Sequence, residues 1–527
     1  MPAIELWTRP WALVETSRKH RFAMVPGAFE LPAENLTATW IYTTTSNPLR
    51  VDRSQATLEP VPGYVGEATG PRTLGLVPVP LRRQAGVQIE GPDGIISVSL
   101  PHFPERPSEV EVIRTADQEI AHHLFLRLKS VWARLKDAEA ASADPSTLWV
   151  ELRRRWTEET VQDDAFMDVI VRHARNLGTT IDTIEKSPRR ILRRYHQMTP
   201  LSRVQEVDRR SMTWLIRQPG ESLAERAGDR QQILAVARRE NFDTLENRVV
   251  RAYAAIARSN AKDYKERNSQ AQLHRRFQDV SAFEKRCKRL DRDFAELGVR
   301  TTDPGITPNF VMQHNPAYRK IWEAWQELIQ QRRELDELWR WQSRSWEDYC
   351  ALVLMVALQS LPGSKLIAAS PLYFRDEQHR GSWLDQDNPF GVFYLPDHQT
   401  VFEVRFRMKR PHKFLADFGA PIWVRYGKLQ DDRSFLKYIA VWPIWHALGG
   451  LCPGEADEIS GLITLGRRAH LSGGVVMRPT AGNADSESED APATTALTVG
   501  TSGAPLRKAI GNLVQFFDEF LQSGPIT

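Results

Sequence analysis

Between Leu273 and Leu297 the apolar residues Leu273, Phe277, Val280, Phe283, Cys287, Leu290, Phe294 and Leu297 recur at intervals of three and four. Such spacing draws one stripe along a helix, and that stripe needs a partner. The segment "TTDPGITPN" at 301–309 then breaks the helix. A return segment, "NPAYRKIWEAWQELIQQRRELDELWRWQSRSW", carries a matching stripe of Tyr318, Trp322, Trp325, Leu328, Leu335 and Leu338. The pattern predicts an antiparallel helical hairpin over 241–345, with 246–299 as the longest helical signal. At about 1.5 Å per residue, such an arm reaches roughly 45–60 Å. Two readings of it stand: a docking arm, or a pair packed flat as ordinary core.

The rest of the 527 residues is too long for one core, and the pattern gives an α+β multidomain chain. Residues 1–107 are rich in Pro, Gly, Thr and Val. There "ATWIYTTTSNPLRV" and "GVQIEGPDGIISVSL" read as strands, the second pair joined by a Gly-Pro-Asp-Gly turn. Residues 108–240 turn helical, with a break before Pro188. From 346 to 527 an apolar helix, "WEDYCALVLMVALQSL", precedes five strand candidates, "SPLYFRD", "GVFYLPD", "TVFEVRFRM", "PIWVRYG" and "LKYIAVWPIW". Two more strands, "GGVVMRPT" and "TALTVGT", flank an acidic segment, "AGNADSESEDAPATT", expected to be mobile. A closing helix, "LRKAIGNLVQFFDEFL", follows.

Composition excludes several classes. Hydrophobic content is 41%, charged content 26% and formal net charge only +4, as in a soluble globular chain rather than a polycation. No run of 18 apolar residues marks a membrane helix, and the first twenty residues lack the plan of a signal peptide. Three cysteines, Cys287, Cys350 and Cys452, lie far apart, which fits a reducing cytoplasm and speaks against zinc or a disulfide frame. Walker A, Gly-x-Gly-x-x-Gly, HExxH and GxSxG motifs are missing, so nucleotide hydrolysis would have to come from a partner. His122, His123 and His446 have no companions at ligand spacing and read as ordinary histidines.

The stretch "RRENFDTLENRVVRAYAAIARS" sets Asn241, Asp243, Thr244, Glu246, Asn247 and Arg248 ahead of an Ala- and Val-rich helix. Asp243 or Thr244 can cap, and Glu246 or Asn247 can sit in the first turn, which accounts for about half of this polar density. "FDTLENRVVRAY" is similar to the Tyr/Phe-Asp-Thr-Pro-Glu-Asn-Arg signature of McrC-like proteins, the nuclease-bearing partners of AAA+ motors in prokaryotic modification-dependent restriction systems. The upstream "IEKSPRRILRRYHQMTPLSRVQEVDRRSMTWLIRQPG" resembles the same family, as does the order of elements over 110–360. Leu245 stands where the family has proline and Arg251 where it has lysine. The resemblance implies an internal knot of Asp243, Thr244, Glu246, Asn247 and Arg248, with Arg248 paired to a carboxylate. Buried charges require such mutual satisfaction.

The resemblance also implies a restriction-endonuclease-like PD-(D/E)xK domain over 346–527. Its chemistry needs acids to hold Mg²⁺ and a lysine to orient water. Where Pro-Asp is expected the chain has Ala420-Pro421, and where the acid strand is expected it has Val441, Trp442 and Pro443, the proline being a threat to a central ladder. A rival site would use Asp397, Glu403 and Glu347, with Arg405 standing in for lysine and Mg²⁺ as cofactor; Arg is a planar, permanently charged fork and a poor substitute. The reading is therefore a degenerate nuclease fold without catalytic or metal-binding residues.

Arg189, Arg190, Arg193 and Arg194 are expected to form a basic strip on a helix, a phosphate-binding surface or a salt-bridged face. Trp339, Trp341 and Trp346 are expected at the surface as interface anchors. The expected function is a non-catalytic McrC-like subunit of an anti-phage complex, partnered with an AAA+ ATPase or GTPase or another subunit. The alternatives are a metal-dependent DNA endonuclease and an adaptor that binds double-stranded DNA.

Overall fold

The computed structural model describes residues 115–157, 168–268, 272–375, 381–385, 389–407, 415, 418–429, 437–466, 471–482, 484–501 and 503–523, with short stretches, chiefly strands, of the first 107. The chain divides into two compact units, Met1–Asp163 with Arg333–Thr527, and Asp164–Arg332. The helices of 245–329 share their core with those of 169–186, while Leu335 and Leu338 lie in the core of the first unit.

The described N-terminal residues form β1 (Ile4–Trp7), β2 (Arg21–Ala23), β3 (Phe29–Glu30), β4 (Trp40–Thr43), β5 (Arg50–Val51), β6 (Gly75–Pro78), β7 (Val87–Gly91) and β8 (Gly94–Ser99). They make two four-stranded sheets, ordered β2-β1-β4-β6 and β3-β8-β7-β5. Gly91 pairs with Gly94 in an antiparallel hairpin at the expected Gly-Pro-Asp-Gly turn. Two helices follow, α1 (Ala116–Ala141), started by a Thr115–Gln118 capping box, and α2 (Leu148–Thr157).

The second unit holds α3 (Val169–Asn176), α4 (Gly178–Lys186), β9 (Ile191–Pro200), α5 (Arg209–Ile216), α6 (Leu223–Arg226), β10 (Gln232–Asn241), α7 (Leu245–Arg267), α8 (Arg275–Glu296), α9 (Phe310–His314) and the start of α10 (Pro316–Arg340). The expected long helix stops at Arg267, and the stripe of α8 begins later than expected: Leu273 is 92% exposed, whereas Val280, Phe283, Cys287, Leu290 and Phe294 are buried. Val280 and Phe283 share one core with Ile170, Ile181, Tyr253 and Trp325. The stripe is thus covered by several helices rather than carried on a two-helix arm.

The basic strip is not helical. Arg193 and Arg194 lie on β9, which pairs antiparallel with β10 from Pro200 opposite Gln232 to Ile191 opposite Asn241. Pro188 follows the end of α4 and disfavours helix in the residue before it. On a strand neighbouring side chains alternate faces, so the two arginines point apart.

The C-terminal part of the first unit comprises α11 (Gln342–Ser360), β11 (Lys365–Ala369), β12 (Tyr373–Phe374), β13 (Leu384–Asp385), β14 (Gly391–Leu395), β15 (Thr400–Phe406), β16 (Ile422–Lys428), β17 (Lys437–Pro443), α12 (Glu455–Gly466), β18 (Leu471–Pro479), β19 (Ser488–Ala491), β20 (Thr494–Val499) and α13 (Gly503–Ser523). An eight-stranded sheet runs β11-β14-β15-β16-β17-β18-β20-β19. It is antiparallel from β11 to β17, parallel through β17, β18 and β20, and closed by antiparallel β19. The fold is α+β, with an N-terminal strand region, a helical middle and a C-terminal mixed sheet.

Three further expectations are corrected. The acidic segment contains β19, hydrogen-bonded to β20. Pro443 is the last residue of β17, and the ladder continues past it through the Ile444 N–H donating to the Met477 carbonyl at 2.9 Å. Trp339, Trp341 and Trp346 are buried; the Trp346 indole donates to the Met477 carbonyl at 3.1 Å. Helix α11 is buried all round from Gln342 to Leu358, which explains its unbroken apolar run. Among the described residues no helix is long and apolar enough to cross a membrane.

Phe283, 1% exposed, is a fair gauge of the second unit's core. Phe283→Ala is expected to cost about 3–5 kcal/mol of unfolding free energy, measured as a lowered urea midpoint.

Candidate functional site

Helix α7 begins at an unusually well satisfied terminus. Thr244 has extended backbone and its hydroxyl accepts from the Asn247 N–H at 3.4 Å, the ordinary N-cap arrangement. The other polar side chains reach outward. The Asn247 carboxamide nitrogen donates to the carbonyls of Phe242 and Arg189, both at 2.7 Å. Its oxygen accepts from the Tyr318 hydroxyl at 2.8 Å, and that hydroxyl accepts from the Arg189 N–H at 2.9 Å. The four partners of a buried carboxamide and a buried phenol are therefore accounted for. Burial holds the Tyr318 hydroxyl up at about 12, so it is a neutral donor.

Asp243 sits at the centre of a guanidinium clamp. Arg248 donates Nε and Nη2 to its two oxygens, each at 2.6 Å, a bidentate fork. Arg300 adds its backbone N–H at 3.0 Å and its Nε at 2.8 Å. The Arg248 fork, then Arg300, hold the Asp243 carboxyl well below the usual carboxylate range. Glu246 faces the other way: Arg189 Nε lies 2.7 Å from one oxygen and the Asn309 carboxamide donates to the other at 2.9 Å. Asn309 also caps α9 by accepting from the Met312 N–H at 3.0 Å.

The structure thus brings Asp243, Thr244, Glu246, Asn247 and Arg248 together and adds Arg189, Arg300, Asn309 and Tyr318. Sequence reasoning missed these four as members of the knot. Tyr318 was legible only as part of an apolar stripe, and Arg189 only as part of a basic group. The other arginines of that group are spread out: Arg190 pairs with Glu240 at 2.6 Å and Arg194 with Glu206 at 2.6 Å.

The residues of the rival metal site are not brought together. Asp397 is exposed in the turn between β14 and β15. Glu403 lies three residues beyond Thr400, about 10 Å along the strand. It is held by Arg405 at 2.5 Å and by Arg425 at 3.4 Å. Glu347 is buried on α11, where it and Asp348 share the Arg407 guanidinium at 3.2 and 3.1 Å. Burial raises both carboxyls, Asp348 to about 6, against the pull of Arg407. Arg407 has a left-handed backbone, φ 49, and donates its N–H to the Pro421 carbonyl at 2.7 Å. Ala420 and Pro421, where acid chemistry was sought, lie at the entry to β16. Among the described residues no three His, Cys, Asp or Glu side chains converge as a metal site. His446 accepts from the Gly449 N–H at 3.1 Å, and burial lowers it to about 4.

A family model described as "Domain of unknown function (DUF2357)" matches residues 118–325. No curated protein matches. Among solved structures, the chain is similar to a chain of a half-complex of Thermococcus gammatolerans McrB AAA+ hexamers with bound McrC. The identity is 10% over 86% of this chain and 85% of that one, with a TM-score of 0.21.

The depressed Asp243 carboxyl links the knot to pH. An unfolded aspartate titrates near 3.9, so the clamp contributes its full stability above that value and loses it as pH falls toward the lower folded pKa. Unfolding free energy is expected to drop on acidification below about pH 4, with a shallower drop in Asp243→Asn, as chemical denaturation at each pH will show. Asn247→Ala strands the Phe242 and Arg189 carbonyls and should cost about 1–3 kcal/mol.

Proposed function

We propose that this chain is a non-cutting, McrC-like subunit of a prokaryotic anti-phage complex of the restriction type, docking onto an AAA+ ATPase or GTPase. The observation that carries the reading is the knot. The signature-like "FDTLENR" is not a decorated cap: four of its side chains, Asp243, Glu246, Asn247 and Arg248, each bond residues outside the α7 N-cap hydrogen bond. A family resemblance rooted in residues that hold a structure together is supported by their doing so in this chain.

Support for a non-cutting role comes from the state of the acids. Glu403 is occupied by Arg405 and Arg425, and Glu347 by Arg407. A guanidinium fork uses the same oxygen lone pairs that a divalent cation would take, and arginine does not release its charge. The order α11, then antiparallel β15, β16 and β17, then α12 and parallel β18 agrees with a nuclease-like layout kept as scaffold. On this reading the protein is cytoplasmic and binds no cofactor of its own.

The test is twofold. Supercoiled plasmid incubated with the purified protein and Mg²⁺ or Mn²⁺ should remain uncut, alone and with the AAA+ product of a neighbouring gene. That product should co-purify with the wild-type chain. A chelator-sensitive nick abolished by Glu403→Gln would overturn the non-cutting role, and failure of every neighbouring AAA+ protein to associate would overturn the docking role.

A further inference from the structure

Residues 188–241 contain twelve arginines, no lysine and six carboxylates. They build the β9–β10 ribbon with α5 and α6. Four of the carboxylates are already engaged. Glu206 is shared by Arg194 and Arg238, at 2.6 and 2.8 Å. Asp208 caps α5 and meets His196 at 2.8 Å, Glu225 closes the capping box of α6, and Glu240 holds Arg190. Arg239 stacks on Tyr195 and donates to Gln197, and Arg226 donates to the Gly220 carbonyl. The exposed side chains of Arg193, Arg203, Arg209, Arg210, Arg217 and Arg230 make no ion pair or hydrogen bond among the described residues.

Two placements of this surplus are locally unfavourable. In the ribbon Arg193 lies directly opposite Arg239, whereas the opposed Arg194 and Arg238 are bridged by Glu206. Like charges opposed across strands destabilise the pair. Arg209 and Arg210 are the first two residues of α5, at the positive end of its dipole. Both conflicts are relieved by the same thing, an external anion. The surplus runs from Arg193 near one end of the ribbon to Arg203 beyond the other, past seven extended residues or about 23 Å at 3.3 Å per residue. A point anion would cover one or two guanidiniums of that length. Duplex DNA carries a negative charge for about every 1.7 Å of its axis, and its major groove admits a two-stranded ribbon.

We propose that the β9–β10 ribbon, with the start of α5, binds the phosphate backbone of double-stranded DNA without sequence preference. Arg193, Arg239, Arg209 and Arg210 supply the contacts. Arg189 belongs to the knot at the base of the ribbon and holds its register instead. The proposal is independent of the AAA+ docking reading and of any cleavage.

The experiment uses the full-length protein and a labelled 30-base-pair duplex of mixed sequence, titrated at several salt concentrations. The wild type should bind with affinity that falls steeply as salt rises. Arg193→Ala with Arg239→Ala, and separately Arg209→Ala with Arg210→Ala, should each weaken binding at least about tenfold and lower the salt slope by one to two, equally on unrelated sequences. Thermal midpoints should stay unchanged or rise, since exposed like charges are removed. No binding by the wild type, salt-insensitive binding, or undiminished binding by the fourfold variant would overturn the proposal. So would duplex RNA of the same length binding at least tenfold tighter than DNA, or an acidic protein partner captured through these arginines by a chain that does not bind DNA.

Discussion

The Asp243 carboxylate, gripped by Arg248 from its own helix and by Arg300 from beyond α8, is the contact on which the second unit is organised. Without it the α7 start would have two guanidiniums and one carboxylate with no common geometry. With it, the chain leaving α8 is tied back to the residue before the Thr244 cap. Asn247 and Tyr318 do the same for the chain entering β9 and for α10. The remote segments meet at a helix terminus because a terminus is where unpaired backbone groups must find partners. A charge-assisted fork is worth more there than a neutral bond, and its directionality fixes register as well as energy.

The same residue type is matched to acids in the C-terminal part of the first unit. Arg405, Arg407 and Arg425 each sit against a carboxylate. Two of those carboxylates, Glu347 and Asp348, are buried on an all-buried helix, where an unpaired charge would be costly. Arg407 is therefore a structural counter-ion first. Its left-handed backbone is held by the bond to Pro421, so the Ala420-Pro421 segment helps to aim it.

Much of this was legible from the chain, and the limits are physical. The β15 strand was readable because it alternates: Thr400, Phe402, Val404 and Phe406 are buried while Val401, Glu403 and Arg405 are less so. The α7 cap was readable from Thr244 and its polar neighbours. The partners of that cap were not, because Arg300, Asn309 and Tyr318 are brought in by tertiary packing that no local spacing encodes. Arg193 and Arg194 were misplaced onto a helix because "ILRRYHQMTP" carries no clear period of its own. Its strand form comes from pairing with Gln232–Asn241, which lies beyond α5 and α6 in the chain. The tryptophans at 339, 341 and 346 were read as surface anchors because tryptophan is enriched at interfaces, whereas all three are buried, Trp339 against Phe125 and Trp346 against Trp445.

Arginine thus has two settings in one chain, and its environment separates them. In the knot and the sheet, guanidiniums are matched by carboxylates. In the ribbon region four of the six carboxylates are taken by caps and by Arg190, Arg194 and Arg238, and among the guanidiniums that remain Arg193 faces Arg239 while Arg209 and Arg210 stand at the positive end of a helix. Chains that fold well satisfy their local rules together, and departures concentrate where something else is served. A surplus of permanent charge, twelve arginines against six carboxylates, is kept most economically for an anion that arrives from outside.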